Sequence, residues 1–225
     1  MYPGAGAGKG VSVSDHTITV RSIDEITHDV RRYRCTKPDG YSFTPGQATE
    51  LALDREGWRD EKRPFTFTSL PDDDVLEFTI KSYPDHDGAG DRFLIGDAWG
   101  AIEDNGPGTF IAGGAGVTPF IAILRARHAA GDLDGCHLIF SNLTERDIIL
   151  RDEFEAMPGL RTTFLVTEQP DSPLAADLLD RDALERLIDG VDRPFYVCGP
   201  PAMVDDISDA LQQMGADPDG ITFEK

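Results

Sequence analysis

Along the first hundred residues, apolar and polar positions alternate in short runs broken by turn residues. "HTITVRS" (residues 16–22) alternates, "DVRRYRCT" follows, and "KPDGYSFTPGQ" carries the Pro, Gly and Asp of a turn. "ATELAL", "RPFTFTSL", "VLEFTIKSY" and "RFLIGDAWGAI" continue the series, separated by "PDDD" and "PDHDGAGD". Within "RPFTFTSL" the spacing puts Phe65 and Phe67 on one face and Thr66 and Thr68 on the other. Short runs of this kind predict strands at the spacing of an antiparallel barrel or sandwich.

From residue 108 the period changes. Apolar runs of five to nine residues alternate with segments of helical spacing. "GTFIAG", "CHLIFSN", "RTTFLVTEQ", "RPFYVCGP" and "GITFE" predict strands. "TPFIAILRARHAAG", "DIILRDEFEAMPG", "DRDALERLIDG" and "PAMVDDISDALQQMG" predict helices between them. In the first helix, Thr118 is the expected N-cap, Pro119 the first helical residue, and Gly131 lies near the end. Alternating strands and helices predict a parallel sheet covered on both faces. The predicted class is therefore β + α/β. An N-terminal antiparallel Greek-key β-barrel, residues 11–104, precedes a five-stranded parallel α/β nucleotide-binding domain, residues 105–225, with "EDNGPG" as the boundary.

Three stretches carry candidate chemistry. "GTFIAGGAGVTPF" (residues 108–120) joins the first parallel strand to its helix. Glycines there let a backbone approach a pyrophosphate, and the helix start offers free N–H groups to an anion. The same residues also make a tight strand-to-helix turn, and both readings stand. An acidic ribose ligand about 20 residues on is absent, because the second strand ends in Ser141 and Asn142. At the end of the fourth strand, Cys198-Gly199-Pro200-Pro201 forms a rigid turn on the carboxyl edge of the sheet, where α/β folds bind ligands. Cys198 reads either as a site residue or as a small buried hydrophobe. In the barrel half, Arg63 precedes two aromatics and three hydroxyls, fitting either a phosphate beside a flat heterocycle or a plain barrel strand.

Composition narrows partners more than reactions. The chain of 225 residues has a formal net charge of −20, with 29 Asp against 12 Glu and 16 Arg against 5 Lys. That balance argues against nucleic acid and anionic membranes. It fits equally a surface tuned to high salt and an acidic protein from a GC-rich genome. No apolar run reaches a membrane span, and "MYPGAGAGKGVSV" has no secretory pattern. Three widely spaced cysteines (35, 136, 198) argue against a disulfide framework, and the expected compartment is the cytoplasm. The five histidines (16, 28, 86, 128, 137) form no cluster in the sequence, and no metal-ligand spacing is present.

Taken in order, "RPFTFTS", "IKSYP", "GGAGVTP" and "FYVCGPPAMV" resemble the ferredoxin–NADP reductase superfamily, from about residue 12 onward. The resemblance implies an FAD-binding barrel followed by an NAD(P)H-binding domain. It implies that Arg63 binds an FAD phosphate, that Pro64 and Phe65 lie at the flavin, with Phe in place of the usual Tyr, and that Thr66 bonds near flavin N5. Ile80 and Lys81 fall on the next flavin strand, with Tyr83 near the adenine or ribose. Gly113, Gly114, Gly116 and Thr118 match the NAD(P)H pyrophosphate loop. Ser141, Asn142 and Arg146 fall at the adenosine ribose, and do not choose NADPH over NADH. Cys198, Gly199 and Pro200 match the segment that holds the nicotinamide, making Thr66 and Cys198 the implied catalytic positions.

Two departures follow from the resemblance. After "KSYP" relatives carry Gly-x-x-Ser/Thr and a short helix, whereas here Asp87 and Gly88 begin a shortened loop. Phe223 is expected in the last strand rather than over the flavin. The implied function is hydride passage from NAD(P)H to FAD, then electrons to a separate acceptor protein or small molecule. The shortened loop opens a second reading, a weakly flavin-binding or non-catalytic subunit of a larger oxidoreductase. A plain dehydrogenase is the third, with no acid–base pair to support it.

Overall fold

The computed structural model describes residues 16–81, 92–100 and 102–224. The N-terminal half holds β1 (His16–Glu25), β2 (Val30–Thr36), β3 (Ala48–Leu53), β4 (Arg63–Thr66), β5 (Val75–Lys81) and β6 (Arg92–Ile95). They form one antiparallel sheet in the order β4-β3-β6-β1-β2-β5. Just past β4 the sheet curls onto its other edge. Phe67 bridges Phe78 of β5, and the Thr68 N–H donates to the Glu77 carbonyl at 2.8 Å. The result is a nearly closed barrel of the predicted Greek-key kind.

Aromatics fill it. Phe67 and Phe78 are fully buried, and Phe67 stacks on Phe43 with centroids 4.3 Å apart. Phe65 packs half-buried on the same cluster, as the alternation predicts. Thr68, expected on the polar face, is also fully buried. Its face is covered by the second half of the molecule, so it has no solvent side.

That half contains β7 (Thr109–Gly113), β8 (His137–Asn142), β9 (Arg161–Val166), β10 (Phe195–Cys198) and β11 (Ile221–Glu224). All pair in parallel, in the order β11-β10-β7-β8-β9. The helices are α1 (Thr118–Ala130), α2 (Arg151–Glu155), α3 (Arg181–Leu187) and α4 (Pro201–Gln213). Alternation along buried strands feeds two cores. Phe110 and Ala112 join Phe120, Leu124 and Phe154 on one face, while Ile111 joins Leu184, Val204 and Leu211 on the other. Continuous apolar strands are the mark of a sheet buried on both faces. Val30 and Ile102 enter the first of these cores, with Ile26 packed against it, so the β1–β2 turn of the barrel wedges into the sheet half.

Two local expectations change. Thr118 is not the N-cap of α1: Val117 holds that place, after a 3₁₀ turn over Gly114–Val117, and the Thr118 hydroxyl donates back to the Ala115 carbonyl at 3.0 Å. The extra turn lets the chain leave β7 and approach β10 before the helix starts. The long helix expected after β8 is broken into a 3₁₀ turn over Glu145–Asp147 and the short α2, because Leu150 sits in left-handed backbone (φ 53°). Gly131, by contrast, ends α1 in left-handed backbone (φ 69°), the usual role of a glycine there. Tyr83, His86, Asp87, Gly88 and the shortened loop lie outside the described residues, as does the N-terminal glycine run.

Candidate functional site

The carboxyl ends of β7, β8 and β10 open into a cleft of about 710 Å³ that also takes in the barrel residues Asp29, Val30 and Lys81. Lys81, Gly113, Gly114, Gly116, Ser141, Asn142, Gly199 and Pro200, all sequence candidates, line it together. Cys198 ends β10 beside them and is 8% exposed. A cleft at the switch between β7–β8 and β10 is where this architecture binds ligands.

The glycines divide into two kinds. A Cβ on Gly116 would come within 2.6 Å of the Cys198 carbonyl carbon and the Gly199 nitrogen, and one on Gly113 would collide with the Met203 sulfur. These residues are glycine because the β7–α1 loop presses directly on the β10–α4 turn. Gly114 differs: its φ is +52° and a Cβ there would meet nothing within 4 Å. Of the loop glycines that line the cleft, this one has no neighbour that forbids a side chain. The turn reading therefore holds at Gly113 and Gly116, while Gly114 has no such packing reason to be glycine.

Asn142 supplies a second pointer. It is 5% exposed and lines the cleft, yet neither its amide nitrogen nor its carbonyl oxygen has a hydrogen-bond partner. Buried polar atoms are nearly always paired, and leaving one unpaired costs about 1–3 kcal/mol. A ligand with a hydroxyl or similar group would relieve that cost. Together with the glycine cradle, the residues fit a dinucleotide.

The other candidates sit elsewhere. Arg63 and Pro64 are exposed at the start of β4, an edge strand, with Phe65 and Thr66 half-buried after them. The Arg63 side chain has no partner among the described residues, leaving it available to an anion. Ile80 packs on the barrel core. Thr118 spends its hydroxyl within its own turn, and Arg146 is exposed on the 3₁₀ turn after β8; neither lines the cleft. Phe223 lies within β11, as expected.

Sequence reading missed Asp29, which meets Lys81 at 3.0 Å. Burial pushes the Asp29 carboxyl up, but bonds from Lys81 and Thr27 hold it below the usual range overall. Asp29 also groups with His28 and Asp147, although Asp147 already caps Thr144 at 2.6 Å. Their separation in sequence by more than a hundred positions hid this contact. Arg125 and Arg127 were read only as helix residues; each holds a carboxylate across the junction of the halves. The available signal was two cations in the middle of an otherwise apolar helix.

Fold and cleft define a two-part protein, a barrel beside a parallel sheet of the nucleotide-binding kind. The family model "Oxidoreductase NAD-binding domain" matches residues 110–209. The chain is 30% identical to the ferredoxin–NAD(P)(+) reductase component of naphthalene 1,2-dioxygenase/salicylate 5-hydroxylase systems of Ralstonia sp., over 89% of this chain. It is also 30% identical to the reductase component of propane 2-monooxygenase of Rhodococcus jostii, over 96% of this chain. The chain spans 65% of the length of each. The solved cytochrome P450 reductase of Amycolatopsis superposes with a TM-score of 0.79 at 26% identity, covering 96% of this chain and 71% of that one. A ferredoxin–NADP+ reductase of Neisseria gonorrhoeae, solved with FAD and NADP, shares the fold at a TM-score of 0.79 and 22% identity, covering 93% and 98%. The chain is similar across both halves to these ferredoxin reductase-like proteins.

Proposed function

We propose that this protein is an NAD(P)H-dependent flavoprotein reductase that passes electrons to a separate acceptor. The observation that carries the reading is the cleft shared by the two halves, with the bare Gly114 backbone and the unpartnered Asn142 amide on one side and Lys81 on the other. A bound FAD would supply the chemistry, taking a hydride from the nicotinamide and releasing electrons onward.

The chain's own residues bind, orient and exclude water. Arg63 offers its exposed guanidinium to a flavin phosphate, Pro64 and Phe65 present an apolar edge, and Thr66 a hydroxyl. Ile80 and Lys81 continue that surface on β5, with Tyr83 and Gly88 assigned by resemblance. Gly113, Gly114, Gly116 and Thr118 shape the pyrophosphate loop, Ser141 and Asn142 flank the ribose, and Cys198, Gly199 and Pro200 form the nicotinamide wall. The division falls near residues 104 and 105. No described helix is long and apolar enough to cross a membrane. Three buried free cysteines support a cytoplasmic setting. The relatives are reductase components, which supports a redox protein as acceptor.

The charges of the cleft favour NADH over NADPH. Asp29, Asp147 and Asp206 line it, and the one cation among its described lining residues, Lys81, is tied to Asp29. A 2′-phosphate would meet these carboxylates without a free cation among the described lining residues.

Purified protein reconstituted with FAD should absorb near about 450 nm and bleach on anaerobic addition of NADH, with NADPH at least ~10-fold less efficient in kcat/KM. No flavin band overturns the reading. A flavin band without bleaching or ferricyanide reduction would instead favour a non-catalytic subunit.

A further inference from the structure

Arg125 and Arg127 are two positions apart on α1, so they leave the helix about 200° apart. Arg127 reaches back to the segment joining the halves. Its Nε donates to Asp104 at 3.1 Å and its Nη1 to Asp132 at 2.9 Å. The Tyr196 hydroxyl pins the same segment, donating to the Gly106 carbonyl at 2.8 Å and accepting from the Asn105 N–H at 2.9 Å. Arg125 reaches the other way, into the barrel. Its Nη1 donates to the Thr68 carbonyl and to Glu77, each at 2.6 Å, while Nε and Nη2 take both oxygens of Glu153 at 2.5 and 2.9 Å. Glu77 is 6% exposed and is held further by the Thr68 hydroxyl at 3.1 Å and by Arg34 at 3.4 Å.

The position of this fork matters more than its strength. α1 starts at Thr118, directly after the glycine loop. Thr68 lies two residues past Thr66, at the point where the barrel closes on β5. One path therefore joins the two cofactor surfaces: two turns of helix from Thr118 to Arg125, the guanidinium, then two extended residues to Thr66. Both segments are hydrogen-bonded and resist bending. A planar guanidinium can serve Thr68, Glu77 and Glu153 at once, whereas an ammonium donates from a single point.

We propose that Arg125 is a positioning residue: its bonds to Thr68 and Glu77 lock the sheet half against the barrel and so set the approach of nicotinamide to flavin. The proposal rests on the flavoprotein reading above. Hydride transfer demands reacting atoms ~3–3.5 Å apart, so loosening this lock slows the transfer without abolishing either binding step.

The test needs a readout that does not depend on flavin. All three native cysteines are buried, so spin labels can be placed selectively at Arg21→Cys on β1 and Gln213→Cys on α4, both exposed. Pulsed dipolar distances should show one narrow distribution in the otherwise wild-type chain and a clearly broadened one in Arg125→Gln. In the unlabelled proteins loaded with FAD, Arg125→Gln should slow single-turnover flavin reduction by ~10- to 100-fold, with NADH Kd within about threefold of wild type. Arg125→Lys should fall between them. Glu77→Gln, which leaves Arg125 its bonds to Thr68 and Glu153, should broaden and slow less, and stands in if Arg125→Gln does not fold. An unchanged distribution overturns the lock. A broadened distribution with an unchanged reduction rate overturns the positioning role. If wild type takes up no flavin, the functional reading and the positioning role fall together, and the distances still decide whether Arg125 joins the halves.

Discussion

The closing edge of the barrel and the open end of the parallel sheet treat buried polar groups differently. The barrel closes around aromatic rings and then buries Thr68, Thr79 and Glu77 on its outer side, all satisfied: the Thr68 hydroxyl reaches Glu77 and lies 3.2 Å from the Thr79 hydroxyl, and Ser69 accepts from the Glu77 N–H at 3.0 Å. The sheet half packs mixed aromatic and aliphatic cores on its two faces and leaves the Asn142 amide without a partner at the open end. Satisfied buried polar groups hold structure together, and unsatisfied ones at a cleft wait for a ligand. Burial at the barrel's closing edge thus serves assembly, and the unpaired amide at the cleft is free for a ligand.

Emptying the barrel of one ring is the largest expected perturbation. Phe67→Ala removes a side chain that touches Tyr41, Phe43 and Phe78. It should cost about 3–5 kcal/mol, read by denaturant unfolding. A cost below about 1 kcal/mol would mean the barrel collapses onto the gap, and the comparison of two well-packed halves would fail.

The next effect belongs to the sheet half and depends on pH. Burial, aided by nearby Arg161, lowers the His137 pKa to about 4 from an ordinary 6.5, and its Nε2 lies 2.8 Å from the Thr163 hydroxyl. The folded value lies below the unfolded one, so the neutral form is favoured by folding. Its contribution is full above pH 6.5 and is lost as pH falls toward 4, up to about 3 kcal/mol at 1.4 kcal/mol per unit. His137→Gln should flatten that part of the stability–pH curve; an unchanged slope would assign it to other groups.

Smaller effects separate the two kinds of glycine. Gly116→Ala drives a methyl into the Cys198–Gly199 peptide and should cost about 1–3 kcal/mol of stability. Gly114→Ala meets open space and should cost about 1 kcal/mol, from its positive φ alone. A methyl there would still sit on the cleft wall, so NADH affinity should fall more than stability does. Equal stability costs at the two positions would remove the distinction between packing and cradle.

Element type and order were legible because each rests on local periodicity. Two-residue alternation marked the barrel strands, and apolar runs spaced by helical segments marked the parallel sheet. The glycine loop and the Cys-Gly-Pro turn were legible because strand and helix flank them directly. The break at Leu150 was not, since a leucine in left-handed backbone is held there by its surroundings and not by its own preference. Nor was the pairing of Asp29 with Lys81, or of Arg125 with Glu77, since charged residues far apart in sequence carry no mark of their partners.

The linear chain by itself therefore determined the two-part architecture and the ligand-binding end of the sheet, because hydrophobic period and turn chemistry act within a few residues. Only the tertiary structure decided which glycines are held by packing, which amide lacks a partner among the described residues, and which carboxylates the two arginines of α1 hold. Those depend on distances between segments that the order of residues does not encode.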